Sequence, residues 1–113
     1  MSFFTALFGL NAQQNDAIKV LSSEAFKAKV ENKEVQLIDV RTPNEFQSGH
    51  IKGAKNIDFY SGKFNEEFNK LDKNKPVYVY CRSGRRSRET AIKLAAMGFT
   101  EIYDLKGGIL KYN

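Results

Sequence analysis

The segment Cys81–Ser87, CRSGRRS, sets the chain's single cysteine beside three arginines, with a fourth, Arg88, just beyond. A thiol is a weak nucleophile until it ionises, and neighbouring guanidinium charges favour the thiolate. A strong strand pattern, Val77–Tyr80 (VYVY), precedes the segment, and a strong helix pattern, Ser87–Met97 (SRETAIKLAAM), follows it. A strand-to-helix loop lies beyond a strand's carboxyl end, where ligands bind in open α/β sheets and a helix N-terminus presents free N–H groups. Gly84 lets the turn curl its amides round a central anion. These residues describe an accessible nucleophilic sulfur, Cys81, at the bottom of an anion cradle formed by Arg82, Ser83, Gly84, Arg85, Arg86 and Ser87.

Plainer readings of the same residues are weaker. A lone cysteine is commonly a buried small hydrophobe, but arginine on both sides is a poor setting for one. An arginine cluster is commonly a solvated face or a nucleic-acid patch. Here the aromatics fall in apparent strand and helix cores rather than between the arginines, which argues against nucleic acid. One cysteine and one histidine, His50, exclude an internal disulfide and leave too few soft ligands for zinc or most transition metals. No metal and no cofactor is expected. His50 follows Gly49 at a turn and reads as a hydrogen-bonded structural residue rather than a base.

Asp39 and Arg41 leave a second strand pattern, Val35–Val40 (VQLIDV), so they are expected on the same rim as Cys81, as pocket-wall residues. Thr42 and Pro43 open a short helix that Gly49 closes. Glu45 on that helix is expected to pair with Arg41 in a structural ion-pair network.

The elements that must hold these residues alternate strand and helix. Ser22-Ser23-Glu24 opens an amphipathic helix through Phe26 and Val30 that ends at Asn32 and Lys33. Asn56–Asp58 is a candidate short strand, and Phe64–Leu71 a candidate helix with Phe64, Phe68 and Leu71 on one face. Ala91, Leu94 and Ala95 form the inner stripe of the helix behind the cysteine loop, and Gly98 stops it. Glu101–Leu105 is a last strand before Gly107-Gly108 and a short tail. This order argues a single α/β domain with a mainly parallel central sheet flanked by helices. The 113 residues suit one domain, which at this size buries roughly two-thirds of its unfolded surface and needs no covalent staples.

Residues 1–17 are expected to stand apart from a domain at 18–113. The run MSFFTALFGLNA has signal-peptide length but lacks a basic n-region, and Leu10 occupies a place that cleavage would want small. Phe3, Phe4, Leu7, Phe8 and Leu10 lie near helical spacing, so a short helix packed on the domain is expected, followed by a polar linker at 11–17. No stretch approaches the roughly 20 apolar residues that span a bilayer. A cytoplasmic location, where a lone thiol stays reduced, is expected.

Three ordered motifs give the chain a family likeness: it resembles a single-domain rhodanese, a sulfurtransferase module. Asp39–Ile57 (DVRTPNEFQSGHIKGAKNI) is similar to the family's first signature, through Asp39, Arg41, Glu45, Phe46, Gly49, His50, Ile51, Gly53, Ala54 and Asn56. Cys81–Ser87 is similar to the C-R-S-G-x-R-S active-site loop. Met97–Gly108 resembles the closing segment, through Gly98, Phe99, Leu105, Gly107 and Gly108. Family members often continue from this glycine pair to a tryptophan and further helix, whereas this chain reads Tyr112-Asn113, a departure at the C-terminal wall of the pocket. The resemblance implies a thiosulfate sulfurtransferase-like enzyme. Cys81 would take a sulfane sulfur as a persulfide and pass it to cyanide or a thiol. The amides of Arg82–Arg86 would surround that sulfur, and Arg86 would hold the loop and its anion.

Two other classes compete. One is a sulfur-carrier or partner-binding module with little turnover of its own. The other is phosphatase or arsenate reductase chemistry. Cysteine phosphatases place arginine six positions after the nucleophile; here that position is Ser87, and Arg86 comes one residue sooner. The shorter loop suits a single sulfur atom. Four of the five arginines fall between positions 82 and 88, and removing those four from the net charge of +5 leaves +1. The basic balance is therefore expected to be a collar round one thiol, steering small anionic sulfur donors or an acidic acceptor protein.

Overall fold

Five strands form one sheet in the computed structural model, which describes residues 15–112, and every pairing in it is parallel. The elements run β1 (Ile18–Leu21), α1 (Ser23–Val30), β2 (Gln36–Asp39), α2 (Pro43–Gln47), β3 (Lys55–Asn56), α3 (Phe64–Phe68), β4 (Val77–Tyr80), α4 (Arg85–Ala96) and β5 (Ile102–Leu105), with a 3₁₀ turn at Ile109–Lys111. The strand order is β1-β5-β4-β2-β3, so β4, which ends at the cysteine, is the central strand. The apolar N-terminal helix and the secretory reading concern residues 1–14, which lie outside the described residues. Among the described residues no helix is long and apolar enough to cross a membrane.

Strand alternation divides the core in two. Val77 and Val79 face α3 and α4 together with Ile38, Val40 and Ile102, meeting Phe64, Phe68, Ala91 and Leu94. Tyr78 and Tyr80 face the other way with Leu37, Tyr103 and Leu105, meeting Phe26 and Val30 of α1. A sheet covered on both faces explains why its inner strands read as near-continuous apolar runs.

Several boundaries differ from expectation. Strand β1 was not legible: IKVL lies at the sheet edge with half-exposed and exposed positions, so it shows neither a buried run nor a clean alternation. Strand β3 pairs at Lys55–Asn56 rather than 56–58. Helix α3 stops at Phe68, and Leu71 still packs against the core from the following turns. Helix α4 starts at Arg85, two residues before the expected Ser87.

Candidate active site

Cys81 follows β4 on the face of Val77 and Val79, and the pleat turns it inward toward α4. It is only 1% exposed, so the thiol is enclosed by its loop rather than accessible on the rim. The Gly84 N–H donates to Cys81 Sγ at 3.0 Å. That inward-pointing amide requires a backbone φ of +110° at Gly84, a conformation that L side chains rarely adopt. Gly84 is also the N-cap of α4, with no side-chain cap and no acidic residue in the first turn. The first intrahelical bond runs from the Arg88 N–H to the Gly84 carbonyl at 3.1 Å. The N–H groups of Arg85, Arg86 and Ser87 therefore have no partner within the helix, and they open toward the same loop as the sulfur.

The other wall of the loop comes from the C-terminal 3₁₀ turn. The Ile109 N–H donates to the Cys81 carbonyl at 2.9 Å, and the Leu110 N–H to the Arg82 carbonyl at 3.2 Å. Tyr112 packs edge-on against Phe26 and anchors this turn on α1. The chain's departure from the family's closing segment thus leaves a wall standing.

The four arginines do not form one collar. Arg82 and Arg85 are exposed beside the loop. Arg86 is half-buried and makes a two-pronged ion pair with Glu45, Nη1 to Oε1 at 2.8 Å and Nη2 to Oε2 at 3.1 Å, with Tyr60 beneath its guanidinium at 5.9 Å. Arg88 turns away and lines a small hollow with Asp104, Ile18 and Val20. Arg82 precedes α4, and within the helix successive residues point about 100° apart, so the four arginines do not share a direction.

Glu45 pairs with Arg86 and not, as its position on the short helix suggested, with Arg41. Its Oε1 also accepts the Thr42 N–H at 3.0 Å while Thr42 Oγ1 accepts the Glu45 N–H, a reciprocal cap of α2. The Arg86 guanidinium, aided by the Thr42 N–H and hydroxyl and opposed by burial, lowers the Glu45 carboxyl to about 2. One carboxylate thus ties the start of α2 to the start of α4.

Asp39 and Arg41, expected as pocket walls, instead form a buried brace. Arg41 donates to Asp39 through Nε at 3.0 Å and Nη2 at 2.6 Å, and to the Gly49 carbonyl at 2.7 Å. Their exposures are 0% and 6%, and a charge so enclosed requires its partner. Tyr80 lies beneath Arg41, and its hydroxyl accepts the Ile51 N–H at 3.0 Å. The brace fixes the 49–51 loop. His50 stacks on Phe46 at 3.7 Å and its Nδ1 lies 2.8 Å from the Phe46 carbonyl, a structural arrangement. Among the described residues no group of three or more His, Cys, Asp and Glu side chains could hold a metal ion.

The family model for the rhodanese-like domain matches residues 22–113, over β2 to β5, the cysteine loop and the closing turn described above. This chain belongs to the rhodanese-like domain family. The uncharacterized Bacillus subtilis (strain 168) protein YqhL is 40% identical over 111 residues, covering 98% of this chain and 85% of YqhL. Thiosulfate sulfurtransferase GlpE of Shewanella oneidensis is 34% identical over 92 residues, 81% of this chain and 89% of GlpE. A rhodanese-like domain protein from Staphylococcus aureus superposes with a TM-score of 0.74 at 31% identity, covering 84% of this chain and 91% of that one. One residue of this rhodanese-like domain escaped the sequence reading. Tyr60 supports Arg86 with a ring 70% exposed, and no pattern distinguishes it from a surface aromatic. Gly108, singled out in the sequence as part of the closing glycine pair, backs onto the Arg82 carbonyl.

Proposed function

We propose that this rhodanese-like domain is a sulfurtransferase that moves a sulfane sulfur from an anionic donor such as thiosulfate, through a Cys81 persulfide, to a thiophilic acceptor. The observation that carries this reading is the Gly84 amide on Cys81 Sγ, set at the uncapped start of α4. Fixed N–H dipoles aimed at one sulfur stabilise negative charge there without reorganising.

In the first step the Cys81 thiolate attacks the outer sulfur of thiosulfate. A new S–S bond forms, the old one breaks, and sulfite leaves with the bonding pair. The terminal sulfur now carries the negative charge and lies among the amides of Arg82–Ser87. In the second step cyanide or a thiolate attacks that terminal sulfur, giving thiocyanate or a persulfide and restoring the Cys81 thiolate. Arg82 and Arg85 draw the anionic donor, or an acidic acceptor protein, to the loop. Arg86 acts by holding the loop through Glu45. A reducing compartment, the cytoplasm, suits a thiol that must stay free between cycles.

Mass spectrometry after thiosulfate treatment tests the reading. An adduct of one sulfur atom, confined to Cys81, removed by cyanide and absent in Cys81→Ala, is the expected outcome. No adduct on a folded protein would sink it. Hydrolysis of an aryl phosphate lost in Cys81→Ser would favour the phosphatase class instead.

A further inference from the structure

The mouth of the cysteine loop carries side chains that the chemistry at the sulfur does not use. Among the described residues the exposed large hydrophobic side chains are Val20, Tyr60 and Leu110. A single exposed apolar residue is ordinary, but here two of the three flank one reactive group. Tyr60, 70% exposed, lies against the Arg86 guanidinium. Leu110, 56% exposed, donates its N–H to the Arg82 carbonyl. They stand on opposite sides of Cys81, because Tyr60 follows β3, Leu110 follows β5, and β4 lies between those strands. In the sheet β5 and β3 are three positions apart, roughly 14 Å at the spacing of paired strands.

Arg82 and Arg85, on the chain from β4 into α4, are exposed and have no carboxylate partner among the described residues. The carboxylates nearest the mouth are engaged: Glu45 holds Arg86, and Asp58 Oδ1 accepts the Tyr60 N–H at 2.9 Å. Thiosulfate and cyanide have no apolar surface to offer Tyr60 and Leu110, and neither spans the distance between them. Exposed aromatic and aliphatic side chains set among arginines have the composition of a protein interface. Cys81 is too enclosed for a broad acceptor surface to reach. A thiol must be carried in on a narrow, extended segment. Such a chain advances about 3.3 Å per residue with alternating side chains, so residues two before and two after its cysteine point the same way and stand about 13 Å apart.

We propose that the rim formed by Tyr60, Leu110, Arg82 and Arg85 docks an extended acidic segment of an acceptor protein, with apolar residues two positions to either side of the cysteine that enters the loop. The docking rests on the sulfur-transfer reading and names the acceptor class for it. The acceptor cysteine gives its proton to solvent, and its thiolate attacks the terminal sulfur of the Cys81 persulfide. One S–S bond forms, the bond to Cys81 Sγ breaks with its electron pair left on Sγ, and the acceptor departs as a persulfide.

The test loads Cys81 with thiosulfate, removes the donor, and follows loss of the one-sulfur adduct by quenched mass spectrometry. The probe is a short peptide with a central cysteine, leucine two positions to either side and glutamate at both ends. It is expected to discharge Cys81 about tenfold faster than the same peptide with serine for leucine, as partial burial of two leucines implies. It is also expected to outrun the version with lysine for glutamate, by a margin that shrinks in high salt. Relative to cyanide discharge of the same protein, Leu110→Ser and Arg85→Gln are each expected to lose about threefold with the probe. Equal rates with the glutamate and lysine peptides, or a probe-to-cyanide ratio unchanged in both variants, overturns the docking.

NMR of the unloaded protein, titrated with the probe's serine-for-cysteine version, reads the docking without any sulfur. The Tyr60, Arg85 and Leu110 amides are expected to shift. No shift overturns the docking, and so does a single-stranded oligonucleotide that shifts them at lower concentration than the peptide. Failure of thiosulfate to load Cys81 while these amides still shift removes the sulfur-transfer reading alone. Normal loading with no preference among the peptides removes the docking alone.

Discussion

Arg86 illustrates how a residue beside a reactive sulfur can matter without touching the substrate. Its guanidinium is taken up by Glu45 and raised in pKa by that carboxylate, so it acts as a strut between α4 and α2. Glu45 does two tasks at once, and substitutions separate them. Glu45→Gln keeps an oxygen for the Thr42 N–H, as capping boxes accept Glu or Gln, but removes the charge on Arg86. It is expected to lower the thermal midpoint at neutral pH by the lost Arg86 pairing and to slow persulfide formation about tenfold, a loss typical of one charge-assisted hydrogen-bond pair. Glu45→Ala loses the cap as well, with a further stability cost of about 1 kcal/mol. Stopped-flow loading with thiosulfate beside thermal unfolding checks both. Equal loading by Glu45→Gln and wild type would reduce the strut to a surface ion pair.

The elements divide the work: β4 delivers the cysteine, α4 delivers amides, and the closing 3₁₀ turn supplies the back wall. Gly108 is where the last two meet, because a Cβ there would fall inside contact distance of the Arg82 carbonyl carbon and oxygen and the Ser83 nitrogen. Those are backbone atoms of the cysteine loop, so a side chain can be admitted only by moving the loop. Gly108, at φ +68°, would also strain any L side chain. Gly108→Ala is expected to cost about 2 to 4 kcal/mol in urea unfolding and to abolish sulfur loading. Full loading by a destabilised Gly108→Ala would show that the wall is structural only. Much of this scaffold was legible. VYVY, SRETAIKLAAM and the Thr42-Pro43 cap carry local signals strong enough to be read alone. The start of α4 was misplaced because it lacks the usual marks, having no capping side chain and arginines where acids normally stand. That same absence leaves its amides free for a sulfur. Glu45–Arg86, 41 positions apart, and Arg88 beside Asp104 are decided by how helices pack on the sheet, which no local pattern records.

At the scale of the whole molecule, two carboxyls make opposite demands on pH, and their sum predicts the shape of the stability profile. Asp104 has its folded pKa raised from 3.8 to about 6, so the native state binds more protons than the unfolded one between those values. Stability therefore falls as pH rises through that window, by about 2 to 3 kcal/mol for a carboxyl this buried. Glu45 is the reverse. Its folded pKa is lowered from 4.5 to about 2, so its contribution is present above the unfolded value and lost as pH falls through that range. Together they give a maximum near pH 4 to 5, more acid than a chain of pI about 9.4 would suggest from net charge alone. Urea midpoints measured from about pH 2 to 8 should rise on the acid limb and decline on the alkaline limb. Asp104→Asn should flatten the alkaline limb and raise stability at neutral pH, while Glu45→Gln should flatten only the acid limb. An alkaline limb that survives Asp104→Asn would mean that the carboxyl ionises in the folded protein near its ordinary value. The cost of holding Asp104 beneath the cysteine loop would then be absent, and the fold would have no stored reason to prefer its neutral form.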